Sequence, residues 1–539
     1  MTGWNFADVW ETIAELLPDA PAQSQDERRS TWAEFDRRAD GLARTLLDAG
    51  VQQHDKVAQY LWNCPEYLES VFAAFKVSLV PVNTNYRYGD DELVYLWDNA
   101  DVVAVVFHGE VTDRIERIRH RVPRVRTWLW VDDGTAPCPD WAVPYEGAAA
   151  RGAAGRPAAP WPRDGDDLFL LYTGGTTGMP KGVMWRQDDL FVVLNAASPR
   201  RYGPDPSLAA VRDAVTKPAP VFVPACPLMH GTGSFNAMMM LSIGGSVVSL
   251  SARHFDVVEL LDTIEREGVG SIAIVGDAFA KPMLRALDAD PGRWDLSSLR
   301  VVFSSGVMFS EPVKQGLLRH QPKTKLVDMF GSSEALGLGS SVSSASSTTA
   351  TAKFVLGANA RVVDEDGGEI APGSGRVGRV ALRGRTPLGY YKDPEKSAGT
   401  FVVIDGVRFA IPGDYAVVEA DGTLTLLGRG SVCINTGGEK VFPEEVEEVL
   451  KEHPTIHDAA VVGVPDERFG EAVTAVVEPE AGATVDEAAV IAFIKERLAA
   501  YKAPKRVLVV PSIGRAANGK MDYSRWRTYA LATTTTATQ

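Results

Sequence analysis

The segment of residues 171–182 constrains this chain most, because it combines small, hydroxylated and cationic residues in one short run. It contains Thr173, Gly174, Gly175, Thr176, Thr177, Gly178 and Lys181. Glycines let the backbone turn tightly and present N–H groups, while hydroxyls and an ammonium group attract negative charge. The apolar run from Leu168 to Tyr172 predicts a buried strand that leads into this segment. We therefore predict a loop that wraps the phosphates of a nucleotide.

Two other interpretations of this loop are weaker. The P-loop of NTPases requires Gly-Lys followed by Ser or Thr, whereas Lys181 lies between Pro180 and Gly182. A turn without a ligand would explain the glycines. It would not explain why three threonines and a lysine alternate with them. The pattern favours a phosphate loop of a non-Walker kind.

Composition bounds the protein class. A chain of 539 residues is too long for one compact domain, so we expect two or more. The net charge of -15 argues against a nucleic-acid partner and against an anionic membrane surface. We expect no signal peptide and no membrane-spanning segment, since no apolar run has the required length or flanks. Four scattered cysteines without metal-ligand spacing fit a reducing cytoplasm.

Helical and strand-like patterns alternate along the first part of the chain. Residues 30–50 and 66–75 have apolar side chains at helical spacing, and residues 56–62 and 78–81 resemble strands. This alternation predicts an α/β fold with a largely parallel sheet. We expect residues 145–166 to form a surface connection and residues 341–352 to form a loop, because of their composition.

A domain boundary is predicted at Gly428-Arg429-Gly430-Ser431. Beyond it, Pro443 begins a helix, and residues 459–464, 472–477 and 507–510 resemble strands, with another helix at 490–498. We predict a body at 1–428, a hinge region that starts at 429–430, a mobile α+β domain at 431–531 and a disordered tail at 532–539. The residues alone leave open whether the boundary is a hinge or a plain linker.

Several motifs occur in the order typical of the adenylate-forming superfamily. The loop at 171–182 resembles its signature, and Phe330-Gly331-Ser332-Ser333-Glu334 resembles its aromatic-Gly-x-Thr-Glu motif. Gly413-Asp414, Gly428-Arg429 and Gly519-Lys520 match later motifs. Residues 275–279 and 437–445 are most similar to acyl-CoA synthetases acting on fatty or steroid side-chain acids. The resemblance spans nearly the whole chain and implies a large N-terminal domain of layered α/β subdomains with a small mobile C-terminal domain.

The resemblance implies an ATP-dependent, AMP-forming acyl-CoA synthetase. Such an enzyme forms an acyl-adenylate and then transfers the acyl group to CoA. It implies ATP, Mg²⁺ and CoA as cofactor and co-substrates, and a small-molecule partner that is a hydrophobic carboxylic acid, medium-chain, aromatic or polycyclic rather than acetate. The oligomeric state stays open, with a homodimer as one candidate.

The resemblance also assigns the catalytic residues. Glu334 matches the metal-associated glutamate, whose oxygens suit Mg²⁺. Lys520 would stabilise charge as the acyl-adenylate forms, and His230 would border the substrate and gate thioester formation. Ser431 stands at the hinge position, where relatives usually have Asp or Lys.

The nucleotide would contact a second group of residues beside the phosphate loop. Asp414 would accept hydrogen bonds from ribose hydroxyls, and Arg429 would donate to ribose or phosphate. Phe330 offers an apolar face for adenine, and Asp328 could accept from its amine. The set is completed by Gly306, Met329 and Ser333.

The acyl pocket is predicted to involve His230, Phe235, Val275, Asp277 and Gly331. Asp277 has a second interpretation as the N-cap of a helix that begins at Ala278, which ordinary preferences favour. Met238 to Met240 would supply a pliant apolar wall, although such runs more often lie in the core.

Departures from the family pattern leave two rival functions open. Gly174 replaces a common Ser, Asn435 a common Lys, and Gly514-Arg515-Ala516 the usual Pro-x-Thr. One rival passes the activated group to a carrier protein, to an amine, or from nitrite to an aryl amine. The other is a silent nucleotide-binding protein, against which the intact Glu334 and Lys520 argue.

Overall fold

The computed structural model describes residues 3–175, 178–436, 439–466, 470–516 and 519–536. Within these ranges, the α-helices are α1 Phe6–Leu16, α2 Trp32–Asp48, α3 Pro65–Lys76, α4 Asp90–Asn99, α5 Thr112–Ile118, α6 Tyr145–Ala150, α7 Gln187–Ala196, α8 Leu208–Ala214, α9 Gly231–Leu241, α10 Val257–Glu267, α11 Gly276–Ala289, α12 Glu311–His320, α13 Pro394–Thr400, α14 Pro443–Lys451, α15 Glu487–Arg497 and α16 Tyr523–Thr536.

The strands are β1 Pro21–Gln25, β2 Arg28–Thr31, β3 Lys56–Tyr60, β4 Val80–Asn83, β5 Val102–His108, β6 Thr127–Val131, β7 Val143–Pro144, β8 Leu168–Gly175, β9 Gly178–Arg186, β10 Val221–Pro224, β11 Ser246–Val248, β12 Ser271–Ile274, β13 Val301–Ser305, β14 Lys325–Ser332, β15 Ala335–Ser343, β16 Lys353–Leu356, β17 Ala360–Val363, β18 Val377–Arg383, β19 Phe401–Ile404, β20 Val407–Ala410, β21 Asp414–Val418, β22 Thr423–Arg429, β23 Ile434–Thr436, β24 Glu439–Val441, β25 Ile456–Asp466, β26 Gly470–Pro479 and β27 Arg506–Val509.

Two large sheets build the N-terminal domain. The first has the order β7-β6-β5-β3-β4-β8-β9 and is parallel except for β9, which pairs antiparallel with β8. The second contains the parallel run β11-β10-β12-β13-β14. Beyond β14 it continues with the antiparallel strands β15-β16-β22-β21-β18-β20-β19. Parallel strands alternate with helices in this part of the chain. The predicted α/β fold is therefore confirmed.

Local sequence signals explain where the predicted helices begin and end. Thr31 and Glu34 form a capping box at the start of α2, and Gly50 follows its end with a φ of +80°. Proline occupies the first position of α3 and of α14, where its missing N–H costs nothing.

Three predicted segments differ from the structure. Residues 145–166 are not only a connection, because Tyr145 and Ala149 of α6 are buried. The predicted loop at 341–352 begins inside β15, which extends to Ser343. Residues 532–536, assigned to a disordered tail, continue helix α16. In the first case, the buried side chains of α6 show that packing supports a helix where the composition favours a surface connection.

A buried lysine joins the first three helices. The Nζ atom of Lys76 lies 2.9 Å from a carboxylate oxygen of Glu11, 2.6 Å from Asp36 and 2.8 Å from Asp40. The Lys76 side chain is only 1% exposed. The three carboxylates, which have a spacing suited to a cation, are thus bridged by an ammonium group.

The C-terminal domain has its own sheet and core. Its strands follow the order β24-β23-β26-β25, with β27 parallel to β26. Among the described residues, a buried cluster that includes Val446, Ile456 and Val490 supports this sheet. The predicted small α+β domain is therefore present.

A buried carboxyl group lies against the link between the domains. The backbone N–H of Arg429 donates to Glu444 Oε1 at 3.3 Å. A side chain at Gly428 would collide with Glu444, because its Cβ would lie 2.2 Å from Oε2. Burial, with Glu447 as the next cause, raises the pKa of Glu444 to about 8. Glu444 therefore holds a proton at neutral pH.

No helix among the described residues has both the length and the apolar character needed to cross a bilayer.

We predict that Lys76→Met destabilises the N-terminal domain by about 3–5 kcal/mol, because buried Asp40 would lose its ammonium partner and Glu11 and Asp36 would keep only their arginine partners. The control is Lys353→Met, whose pair with Asp421 at 3.1 Å is solvent-accessible and should contribute less than about 1 kcal/mol. Urea denaturation followed by circular dichroism measures the free energy of unfolding of the two variants and of the wild type. Equal stability of the two variants would contradict the prediction.

We also predict that the C-terminal domain becomes less stable as pH rises. The pKa of Glu444 is about 8 in the folded protein against an ordinary 4.5, so the folded state binds the extra proton between these values. Stability present at low pH is then lost as pH rises through this window. Glu444→Gln should reduce this slope. Hydrogen exchange of β25 and β26 amides at pH 6 and pH 8 measures it, and an unchanged slope in the variant would refute the assignment.

Candidate active site

Strand ends bring the predicted site residues to one cleft. In the first sheet, β8 leads into the phosphate loop. In the second sheet, the carboxyl ends of β12, β13 and β14 lead directly to Val275, Gly306 and Glu334. Ligands of open α/β sheets bind outside the carboxyl ends of parallel strands. The fold therefore places the nucleotide and acyl motifs on facing edges.

The phosphate loop is a hairpin between β8 and β9. Thr173 pairs with Lys181, and Gly175 pairs with Gly178. Gly174 is exposed, and a Cβ added there would have only the Tyr88 hydroxyl within 4 Å, at 3.8 Å. Thr176 and Thr177, also predicted to bind phosphate, lie outside the described residues.

A buried asparagine links this hairpin to the histidine segment. Asn83 Nδ2 donates to the carbonyl oxygens of Tyr172 at 2.8 Å and of Met229 at 2.6 Å. The Tyr172 N–H donates back to Asn83 Oδ1 at 2.6 Å. Thr173 and His230 follow these two residues directly, so Asn83 holds the phosphate loop and the histidine in a defined relation.

Glu334 occupies the turn between β14 and β15 and is half-buried. The Tyr390 hydroxyl donates to Glu334 Oε1 at 2.8 Å. Burial raises the pKa of Tyr390, so the phenol keeps its proton and acts as a donor. The Nζ atom of Lys181 lies 5.0 Å from the centre of the same ring. The glutamate predicted to associate with the metal and the lysine predicted to bind phosphate thus contact the same tyrosine.

Asp414 and Arg429 face each other across β21 and β22. Arg429 Nε lies 3.4 Å from Asp414 Oδ1. Burial raises the pKa of Asp414, and the guanidinium group opposes that shift. Asp414 in turn raises the pKa of Arg429. Among the described residues, Asp414 Oδ2 is buried without a hydrogen-bond donor, which leaves an acceptor of the kind that a ribose hydroxyl would satisfy.

Lys520 reaches this group from the C-terminal domain. Gly519 has a φ of +70°, and a Cβ there would lie 3.0 Å from Val307 Cγ2 and 3.2 Å from Val275 Cγ1. Burial lowers the pKa of Lys520, with Arg429 as the second cause, while Glu334 and Asp414 oppose the shift. The lysine therefore shares one electrostatic environment with these three site residues.

An arginine braces the loop that carries Lys520. Arg515 contacts both Asp458 oxygens, at 2.6 Å and 2.8 Å, and donates to the carbonyl of Gly519 at 3.2 Å. Gly514 and Ala516 take the place of the family's usual Pro and Thr. The hydrogen bonds of Arg515 thus hold the Gly519 loop in place, although the proline that usually restricts this segment is absent.

His230 precedes helix α9 and lies near Lys520. Burial lowers its pKa to about 3, with Lys520 and Arg87 as further causes. The imidazole is therefore neutral at physiological pH. The structure thus brings together His230, Glu334, Asp414, Arg429 and Lys520, which lie up to 290 residues apart in the sequence.

Two of the residues predicted to surround adenine, Asp328 and Phe330, are buried and contact other side chains of the protein. Lys314, which is 1% exposed, lies 3.3 Å from Asp328 Oδ2. Burial raises the pKa of Asp328 to about 6, and Lys314 opposes the shift. Phe330 is buried with its ring 5.4 Å from that of Phe354. Met329 and Ser333 are half-buried, and Gly306 has a φ of +92° beside Val275.

Several residues of the predicted acyl pocket are buried among other side chains of the protein. Met238 to Met240 are buried in the main core, as their ordinary preference favours, so they form no open wall. Phe235 is 5% exposed and packs near Phe169 and Trp185. Gly331 lies against the Ala335 carbonyl, whose oxygen would be 3.0 Å from a Cβ added at the glycine.

The interpretation of Asp277 as an N-cap is wrong. Helix α11 begins at Gly276, so Asp277 is inside its first turn rather than at its cap. Its two carboxylate oxygens accept from Ser310, at 2.9 Å from the N–H and 2.7 Å from the hydroxyl. Asp277 therefore joins α11 to the start of α12, and its place in the acyl pocket stays a prediction. A partner 33 residues away is invisible to local sequence patterns.

Sequence reasoning missed Asn83, Tyr390 and Arg87. Tyr390 meets Glu334 across 56 residues, and Asn83 meets Met229 across 146. The glycine in the run Leu388-Gly389-Tyr390-Tyr391 was only a weak sequence signal for a special backbone position. In the structure, Gly389 has a φ of +153°. These contacts depend on tertiary structure.

Comparisons with known proteins identify the family of this chain. A family model described as AMP-binding enzyme matches residues 10–391, and one for its C-terminal domain matches residues 445–520. A 3-oxocholest-4-en-26-oate–CoA ligase of Rhodococcus rhodochrous is 40% identical over 533 residues, covering 97% of this chain and 95% of the relative. A medium/long-chain-fatty-acid–CoA/3-oxocholest-4-en-26-oate–CoA ligase of Mycolicibacterium smegmatis is 40% identical over 532 residues, with the same coverage.

Solved structures share the fold over nearly the full length. ATP-bound MatB from Rhodopseudomonas palustris has a TM-score of 0.79 at 26% identity, covering 98% of this chain and 99% of that one. The amide bond synthetase McbA from Marinactinospora thermotolerans has a TM-score of 0.80 at 25% identity, with coverage of 97% and 99%. The predicted enzyme class, an AMP-forming acid–CoA ligase, is confirmed by the curated relatives. This chain belongs to the AMP-binding enzyme family.

Proposed function

We propose that this protein converts a hydrophobic carboxylic acid, ATP and CoA into an acyl-CoA, AMP and pyrophosphate. The observation that supports this most directly is the position of Lys520. It lies in the electrostatic environment of Glu334, Asp414 and Arg429, and it influences His230. A cation at this place would meet both the acid and the α-phosphate.

The residues at the cleft suit ATP with Mg²⁺. The backbone of the phosphate hairpin and Lys181 would contact the phosphates, and Asp414 would accept from the ribose. Glu334 offers a half-buried carboxylate that accepts a hydrogen bond from the Tyr390 phenol, and a carboxylate oxygen is a hard ligand of the kind that Mg²⁺ prefers. When bound there, Mg²⁺ would offset the negative charge of the phosphates.

In the first half-reaction, a carboxylate oxygen of the acid attacks the α-phosphorus and pyrophosphate leaves. Both reactants are anionic, so orientation and charge neutralisation provide most of the catalysis. Lys520 would stabilise the charge that develops between them. Burial lowers the pKa of Lys520, whereas Glu334 and Asp414 act in the opposite direction and favour the charged ammonium form.

In the second half-reaction, the CoA thiol sulfur attacks the acyl carbonyl carbon and AMP leaves. The docked position of Gly519 fills the edge of the cleft, so the small domain would rotate first, about Ser431. His230, neutral at physiological pH, would border the acyl carbonyl without adding a charge beside it. Domain alternation and the hinge at 429–431 are part of this proposal.

The acid is proposed to be a medium-chain, aromatic or polycyclic carboxylate. The relatives of Rhodococcus rhodochrous and Mycolicibacterium smegmatis, which are named for such substrates, match the chain along its whole length. The edge formed by Val275 and Gly306 is apolar and lies beside the predicted reaction centre. We propose a cytoplasmic location from the free thiols of the described cysteines, and size-exclusion chromatography would decide whether a homodimer forms.

A non-CoA acceptor is the alternative, and the similarity to an amide bond synthetase is the observation that favours it. The release of AMP from ATP, measured with each acid in the presence and absence of CoA, separates the two. CoA-dependent release together with a thioester product supports the proposal.

Lys520→Ala should abolish adenylation while sparing thioester formation from a synthetic acyl-adenylate. The loss should reach about 10²–10³-fold, the effect of removing one preorganised charge-stabilising group. ATP–pyrophosphate exchange measures the first half-reaction and CoA consumption measures the second. The matched control is Lys495→Ala, an exposed lysine on α15 of the same domain. Equal losses in both half-reactions would contradict this role.

A series of saturated acids should show kcat/KM rising with chain length. Each buried methylene should contribute up to about 0.8 kcal/mol until the pocket is filled. The assay uses saturating ATP and CoA and compares acetate with longer and polycyclic acids. A preference for acetate or propionate would reject the proposed substrate class.

A further inference from the structure

Tyr390 stands between two opposite charges of the site. Its hydroxyl donates to Glu334 Oε1 at 2.8 Å, and the face of its ring lies 5.0 Å from Lys181 Nζ. Lys181 and Glu334, both described, therefore each contact the tyrosine rather than forming an ion pair with one another. Tyr390 itself is 5% exposed.

The backbone holds this tyrosine against the phosphate hairpin. The segment before Tyr390 pairs with β9, since the Leu388 N–H donates to the Met184 carbonyl at 2.8 Å and the Met184 N–H donates to Gly389 at 2.9 Å. The Tyr391 N–H donates to the Gly182 carbonyl at 2.8 Å. These bonds involve Gly182 and Met184, which follow Lys181 in β9. The ring therefore has a defined position relative to the lysine.

A third contact orients the tyrosine from the other side. The Tyr390 N–H donates to Ser397 Oγ at 2.8 Å, and its ring packs edge-on against Phe401 at 5.8 Å. Both partners lie in the segment that follows the tyrosine. The side chain is thus fixed by the hairpin and by this segment, and it needs no bound ligand to adopt its position.

The chemistry of a phenol suits this position. A neutral hydroxyl can orient a carboxylate by hydrogen bonding without cancelling its charge, unlike an ammonium group. The electron-rich face of the ring attracts the lysine without neutralising it. If the ring were absent, Lys181 and Glu334 could approach and pair, and each would lose charge that a ligand needs.

We propose that Tyr390 is a positioning residue that holds Glu334 and Lys181 apart, so that the carboxylate stays available to Mg²⁺ and the ammonium group to phosphate. This inference rests on the proposed role of Glu334 as the metal-associated residue. It assigns Tyr390 no contact with substrate.

Isothermal titration of the purified full chain with ATP tests the proposal directly. Binding is measured once with excess Mg²⁺ and once with EDTA, without the acid. Tyr390→Phe should weaken binding of Mg·ATP by about tenfold, the effect of removing a hydrogen bond to a charged group. Binding of metal-free ATP should change little, because the ring still holds Lys181. Tyr390→Leu should weaken both, since the lysine would also lose the ring.

Tyr391→Phe is the matched control. The Tyr391 hydroxyl donates to Asp101 Oδ2 at 2.9 Å, away from Glu334, so both titrations should match wild type. The KM for Mg·ATP in the adenylation assay should rise in Tyr390→Phe in parallel with the dissociation constant, while thermal melting confirms that the variants fold.

Glu334→Gln separates the two proposals. If Glu334→Gln loses Mg²⁺-dependent binding and Tyr390→Phe does not, the role of Tyr390 is refuted and that of Glu334 stands. If Glu334→Gln binds Mg·ATP as wild type does, the proposed role of Glu334 fails and this inference fails with it. Equal weakening of Mg·ATP and metal-free ATP in Tyr390→Phe would also overturn it.

Discussion

The contact between the Gly519 loop and the N-terminal domain is the interaction on which the active site depends. Gly519 lies against Val275 and Val307, where a side chain would leave only 3.0 Å to the nearest atom. That close approach delivers Lys520 to Asp414, Arg429 and Glu334. The two domains have separate sheets and cores, so contacts between them, of which this apolar one is an example, position Lys520. Adenylation at this place and a later rotation of the small domain belong to the proposed function.

Charge in the cleft is arranged so that few groups neutralise each other fully. Arg429 and Asp414 are 3.4 Å apart, a distance that leaves Asp414 Oδ2 buried with no donor among the described residues. Tyr390 separates Lys181 from Glu334. Outside the cleft the pattern differs, since Lys76 is closely surrounded by three carboxylates. Close pairing stabilises the fold, whereas the looser pairing at the cleft would leave charge for the ATP and Mg²⁺ that we propose to bind there.

Local patterns predicted most of the regular elements around the site. The apolar run before the phosphate loop formed β8, Pro443 began α14, and the three strands predicted in the small domain formed β25, β26 and β27. These predictions succeeded because periodicity and capping act over a few residues. The prediction for residues 145–166 was incomplete, because packing supports helix α6 where composition favours a connection. Helix α16 also includes residues 532–536, which the composition assigned to a disordered tail. The assigned catalytic, nucleotide-binding and hinge roles remain predictions.

By itself, the sequence determined the family, the enzyme class and the order of the motifs, since these depend on residue types at short spacing. Tertiary structure alone decided which side chains meet. It directed Asp277 to Ser310, placed Met238 to Met240 in the core and brought Tyr390 to Glu334. The physical reason is that hydrogen bonds and packing act over a few ångströms in space, and residues that the chain separates by tens or hundreds of positions become neighbours only when the strands and helices have packed.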